Sequence, residues 1–166
     1  NPHKISVILH TNTVRSNGMV SWAPKRVDLF TTPPQDTYAQ DWFEQLAIHE
    51  FRHVVQIDKM ASELPNIFKI LLGEQAAAIV VGAYLPFWFL EGDAVAAETA
   101  LSNSGRGRLP SFEMELKAQT LDKRIYSYDK SYLGSYRDYV PDYYQSGYQL
   151  VAGIRSKYGV ETWSNV

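Results

Sequence analysis

The sequence predicts an α+β fold, a small N-terminal β-sheet followed by a mainly helical remainder. Three observations carry this. The first thirty-odd residues alternate apolar and polar positions and are broken by turn-forming residues, as short strands are. Beyond Pro33-Pro34 the apolar residues recur at helical spacing instead. A chain of 166 residues with 45% hydrophobic content can build one sizeable core. The expectation is one domain over 1–166, β-rich over 1–35 and mainly helical over 37–166.

The elements follow in chain order. Lys4 to Thr13 alternates, with Ile5, Val7 and Leu9 on one side and Ser6, Ile8 and His10 on the other, and reads as a half-buried strand. Ser16-Asn17-Gly18 is a turn signal. Met19–Trp22 and Arg26–Thr31 read as further short strands, separated by Pro24. The segment from Asn17 to Leu29 is the candidate edge strand, where an extended peptide could add to the sheet. His3 and His10 belong to the sheet, at spacings that fit no metal site. Thr37 and Gln40 form a capping-box pattern for a helix carrying Trp42, Leu46, His49 and His53 on one stripe. With Phe43, Ala47, Val54 and Ile57 on neighbouring stripes, that helix reads as buried. Ile67 to Leu90 is strongly apolar, but its uninterrupted part, Ala76–Leu90, is shorter than the ~20 residues a bilayer span needs. A buried helix or hairpin is expected there, with a hydrophobic lid or a docking surface for another domain as the alternative. Ser102–Arg108 reads as a flexible basic loop and Ser111–Leu121 as a helix. Tyr126–Tyr139 reads as an ordered loop near the cleft. Tyr143 opens an amphipathic segment that stops at Gly159.

The chemistry lies in His49-Glu50-Phe51-Arg52-His53, an H-E-x-x-H pattern. On a helix, residues four apart share a face, so both imidazoles can reach one ion while Glu50 stays outside its ligand shell. That arrangement suits a zinc hydrolase using a metal-activated water, with Glu50 as general base. A buried helix with two structural histidines is the competing reading. A catalytic zinc site needs a third protein ligand. The Gly and His that would follow in a metzincin are Gln56 and Lys59 here, and the chain has no cysteine. A carboxylate further along remains, and the stretch Pro86-Phe87-Trp88-Phe89-Leu90-Glu91-Gly92-Asp93-Ala94-Val95-Ala96-Ala97-Glu98 stands out.

HEFRH followed by PFWFLEGDAVAAE resembles the gluzincin zinc metallopeptidases, in particular the peptidase MA-like domains and, more distantly, the aminopeptidase N type. The resemblance covers roughly residues 37–165. It implies a zincin-like fold with a sheet packed on the active-site helix, and Zn2+ held by His49, His53 and Glu91. It places Glu98 beside a zinc histidine, where a carboxylate fixes the ring tautomer. Asp93 would serve in an aspartate-ligated variant. Near the end of the chain, Tyr143-Tyr144-Gln145-Ser146-Gly147-Tyr148 is similar to the aminopeptidase Tyr-x-x-Gly block, and places Tyr144 at the oxyanion, with Tyr148 and Tyr143 as substitutes. Two departures bear on activity. The spacing from His53 to Glu91 is much longer than in the aminopeptidase N type. The G-x-M-E-N strand that binds a free amine is missing, with Asn17-Gly18-Met19 only faintly similar. An endopeptidase is therefore expected.

Partners follow from composition and resemblance together. A net charge of −2 without a basic run argues against nucleic acid. A peptide or protein substrate is expected, with no transmembrane span and with docking to another domain of the same longer chain. The chain begins at Asn1, with no initiator Met, and reads as a processed or excised piece. Many MA-like domains are exported, so the resemblance implies a periplasmic or extracellular location. A catalytically inactive zincin-like binding or scaffolding module is the alternative function. A metal-free helical domain is a further one.

Overall fold

A computed structural model describes residues 4–22, 24–35, 40–65, 67, 70 and 82–163. It is α+β, a three-stranded N-terminal sheet followed by a mostly helical part. The chain forms two compact units, Asn1–Leu85 and Pro86–Val166.

The first unit holds strands β1 (Ser6–His10), β2 (Ser16–Trp22) and β3 (Lys25–Thr31) and helix α1 (Trp42–Glu63). The strand order is β1-β3-β2, with β1 parallel and β2 antiparallel to β3. The central strand is β3, where Val27, Asp28 and Leu29 are all buried. Val27 and Leu29 pack with Val54 of α1, and Ile5, Val20 and Leu46 flank them. The sheet thus lies on the helix that carries the histidines. Lys25 ties the start of β3 to α1 by a bond of its Nζ to Asp58 Oδ2 at 2.5 Å.

Several expectations need correction here. The first strand is shorter than Lys4–Thr13 and mostly exposed, with Val7 at 47% and Leu9 at 58% accessibility, so alternation in β1 does not report a buried face. Ser16-Asn17-Gly18 is not a turn but the start of β2, because pairing to Thr31, Phe30 and Leu29 overrides the local turn preference. The edge segment Asn17–Leu29 divides accordingly. Among the described residues β2 has a free side, whereas Lys25–Leu29 lies in the central strand. Helix α1 starts at Trp42, and its cap is Asp41, whose Oδ1 accepts from the N–H groups of Phe43 at 2.8 Å and Glu44 at 3.3 Å. Thr37 lies outside the described residues. The helix is buried along one stripe only, since Phe51 and Val55 are exposed. It ends before Pro65, which disfavours helical backbone at Leu64.

The second unit holds α2 (Phe87–Leu101), α3 (Pro110–Lys123), α4 (Tyr128–Leu133) and α5 (Tyr143–Tyr158), with 3-10 turns at Arg106–Arg108 and Val160–Trp163. Helix α2 is its core, with Ala94, Val95 and Glu98 wholly buried. It crosses α5 backbone to backbone. A Cβ on Gly92 would fall inside the Gly147 backbone, and one on Gly147 would meet the Trp88 carbonyl. Pro110 opens α3 at a position where its missing N–H costs nothing. Asp142 caps α5 by accepting from the Tyr144 N–H at 2.9 Å, and Gly159 closes it at φ 97°. The Tyr-rich segment 126–139 is not all loop, because Tyr128–Leu133 is helical and ends at Gly134 with φ 81°. Ser102–Arg108 is not a free loop either. Gly107 N–H donates to Thr99 Oγ1 at 3.0 Å, and Arg106 is tied to Glu98. Residues 71–81 of the apolar stretch lie outside the described residues, and its end is the first turn of α2. Among the described residues no helix is long and apolar enough to cross a membrane.

Candidate metal centre

Helix α1 brings the two histidines of the H-E-x-x-H pattern onto one face. Their Nε2 atoms lie 3.2 Å apart, and the rings meet edge to face. His53 Nδ1 lies 2.8 Å from Gln56 Oε1. A carbonyl oxygen only accepts, so Nδ1 carries the proton and Nε2 presents a lone pair toward His49. Gln56 does for His53 what a partner on the outer ring nitrogen does for a metal ligand, fixing tautomer and orientation. Two ligand nitrogens with metal bonds of about 2.0–2.1 Å in a tetrahedral site are about 3.3–3.4 Å apart, close to what the imidazoles show. The pair therefore fits a tetrahedral ion. The sequence alone does not single out Gln56 as a partner of His53, although its i+3 spacing places it on the same face.

Glu50 is 4% exposed. Strand β2 passes against it at Gly18, where a Cβ would stand 2.5 Å from Oε1 and 2.6 Å from Cγ of Glu50. A glycine is required for that approach. The faint Asn17-Gly18-Met19 signal thus falls on a residue next to the candidate base.

In the second unit, Glu91 stands on α2 and Tyr144 on α5. The Tyr144 hydroxyl is hydrogen-bonded to the Glu91 carboxylate. Burial and the Glu91 charge push the Tyr144 pKa well above the usual phenol range, so it stays a proton donor. Tyr143 stacks on Tyr144 with centroids 5.0 Å apart and is raised by the same two causes. Asp93, the alternative ligand, is 2% exposed and accepts from Arg155 Nη2 at 2.6 Å. Glu98 is wholly buried, and both its oxygens accept from Arg106. That partner was not foreseen, and no local pattern announces it. Tyr148 lies over Gly107, whose Cβ would clash with its ring.

In comparisons with protein-family models, curated proteins and solved structures, nothing matches the chain. The functional reading therefore rests on these residues.

Proposed function

We propose that this chain is a zinc-dependent peptidase of zincin-like fold, an endopeptidase that cleaves extended segments of peptide or protein. The observation that carries the reading is the pair of imidazole Nε2 atoms facing each other at 3.2 Å with Glu50 buried between them in sequence. The donor set of two imidazoles and one carboxylate, His49, His53 and Glu91, suits Zn2+. When bound there, the ion supplies Lewis acidity, acidifying a water and polarising the scissile carbonyl.

The chain's own residues do the rest. Gln56 holds the His53 ring with its Nε2 lone pair toward His49. Glu50 takes a proton from the attacking water as the new C–O bond forms, and delivers it to the amine as the C–N bond breaks. The Tyr144 hydroxyl, kept protonated, donates to the oxyanion. The free side of β2 offers backbone groups to an extended substrate, and Gly18 brings that strand against Glu50.

The test is cleavage of a quenched peptide library with and without chelator, beside metal analysis of wild type and Glu50→Gln. Wild type is expected to bind about one zinc and to cleave. Glu50→Gln is expected to keep zinc and to lose about 10²–10⁴-fold in kcat. Full activity in Glu50→Gln rules out its role as base, and bound zinc without any cleavage favours a binding module.

A further inference from the structure

We infer that Arg106 is a positioning residue for Tyr144, held in place by the buried carboxylate of Glu98. The inference rests on the oxyanion role proposed for Tyr144.

Glu98 is at 0% exposure in the last turn of α2. A carboxylate so placed needs matching charge and hydrogen bonds. Arg106 supplies both, with Nε to Oε1 at 2.7 Å, Nη2 to Oε2 at 2.9 Å and its own backbone N–H to Oε1 at 3.1 Å. This two-pronged contact fixes the plane of the guanidinium as well as its position. The surrounding turn has little freedom of its own. Arg108 Nε donates to the Thr99 carbonyl at 3.2 Å, and a Cβ at Gly105 would run into the Thr99 backbone.

The guanidinium so anchored also lies over the Tyr144 ring, with the Arg106 Cζ 5.4 Å from the ring centroid. The ring is thus held by the Arg106 guanidinium, by Tyr143 stacked on it, and by Glu91 at its hydroxyl. Glu91 and Glu98 are seven residues apart on α2. One helix therefore anchors the ring twice, directly at the hydroxyl and through Arg106. A lysine at 106 would keep the charge but have neither fork nor plane. Positioning of this kind acts on the rate of the reaction more than on binding.

The experiment uses the 166-residue chain labelled with 3-fluorotyrosine. The Tyr144 fluorine resonance is identified by its loss in Tyr144→Phe. Arg106→Lys is expected to shift and broaden that resonance while metal content stays unchanged. It is expected to lower kcat roughly tenfold with KM within about twofold. In the Tyr144→Phe background the same substitution is expected to cost nothing further in kcat. Should Arg106→Lys not fold, Glu98→Gln, which keeps the side-chain shape, is expected to give the same pattern. An unmoved Tyr144 resonance, or losses in kcat that multiply in the double variant, overturns the inference. If wild type shows no metal-dependent cleavage, the functional reading fails, and the resonance alone still decides whether Arg106 holds the ring.

Discussion

In the proposed reaction Glu50 moves a proton while nearly sealed from solvent, so small displacements of its carboxylate matter there. Gly18 sets one wall of its place. Gly18→Ala puts a methyl within 2.5 Å of Oε1 and 2.6 Å of Cγ, and the side chain has to shift. The expected outcome is a drop in kcat of about tenfold with unchanged zinc content, read by steady-state kinetics and metal analysis. A second residue-scale prediction concerns Asp28, buried in the central strand. His10 Nε2 bonds its Oδ1 at 2.8 Å and Arg26 Nε its Oδ2 at 2.8 Å. The hydrogen bond from His10 and then the Arg26 contacts hold the Asp28 carboxyl below its ordinary value of 3.8, against the opposing effect of burial. A lowered value in the folded state means stability that is present above 3.8 and lost as pH falls through the lower folded value. Asp28→Asn should therefore melt below wild type at neutral pH. The gap should close as pH is lowered toward about 2, in thermal melts across that range.

Among elements, the crossing of α2 and α5 explains why the Glu91-Gly92 block and the Tyr144-x-x-Gly147 block both carry glycine. Each glycine sits one to three residues from a candidate functional side chain, at the point where the two backbones touch. The close approach lets the Glu91 carboxylate and the Tyr144 hydroxyl bond. Gly147→Ala is expected to destabilise by about 1–3 kcal/mol or more, because the obstacle is backbone rather than a yielding side chain. Gly153, on the same helix, has nothing within 4 Å of an added Cβ. Gly153→Ala should instead stabilise by about 0.5–1 kcal/mol, since alanine is the better helix former. Denaturant melts of the two variants check the pair. Helix α5 itself was readable from sequence at both ends, at Tyr143 and Gly159, because caps are local. Helix α1 was readable in period but not in its start, because Thr37 and Asp41 are both N-cap residue types four positions apart.

For the molecule as a whole, the ion proposed here binds the folded chain and not the unfolded one, so it should add to stability. At free zinc about a thousandfold above Kd the gain is about 4 kcal/mol, and chelator should lower the melting temperature accordingly. Glu91→Ala should abolish most of that zinc-dependent gain. Asp93→Ala should lower the melting temperature with and without zinc alike, because Asp93 pairs with Arg155. Calorimetry of both variants with zinc and with chelator separates the two carboxylates, and the reverse order would move the third ligand to Asp93.

By itself, the sequence determined the α+β class, the helix that sets two imidazoles four residues apart with a carboxylate beside the first, and the limits of the last long helix. Each of these depends on spacing and capping within a few turns of chain. Only the tertiary structure decided that Gln56 holds His53, that Gly18 lies against Glu50, that Gly92 meets Gly147, and that Glu98 is taken by Arg106. Apart from Gln56, these pairings join residues whose contact is set by how strands and helices pack. Packing responds to shape and charge in three dimensions, which no local period records.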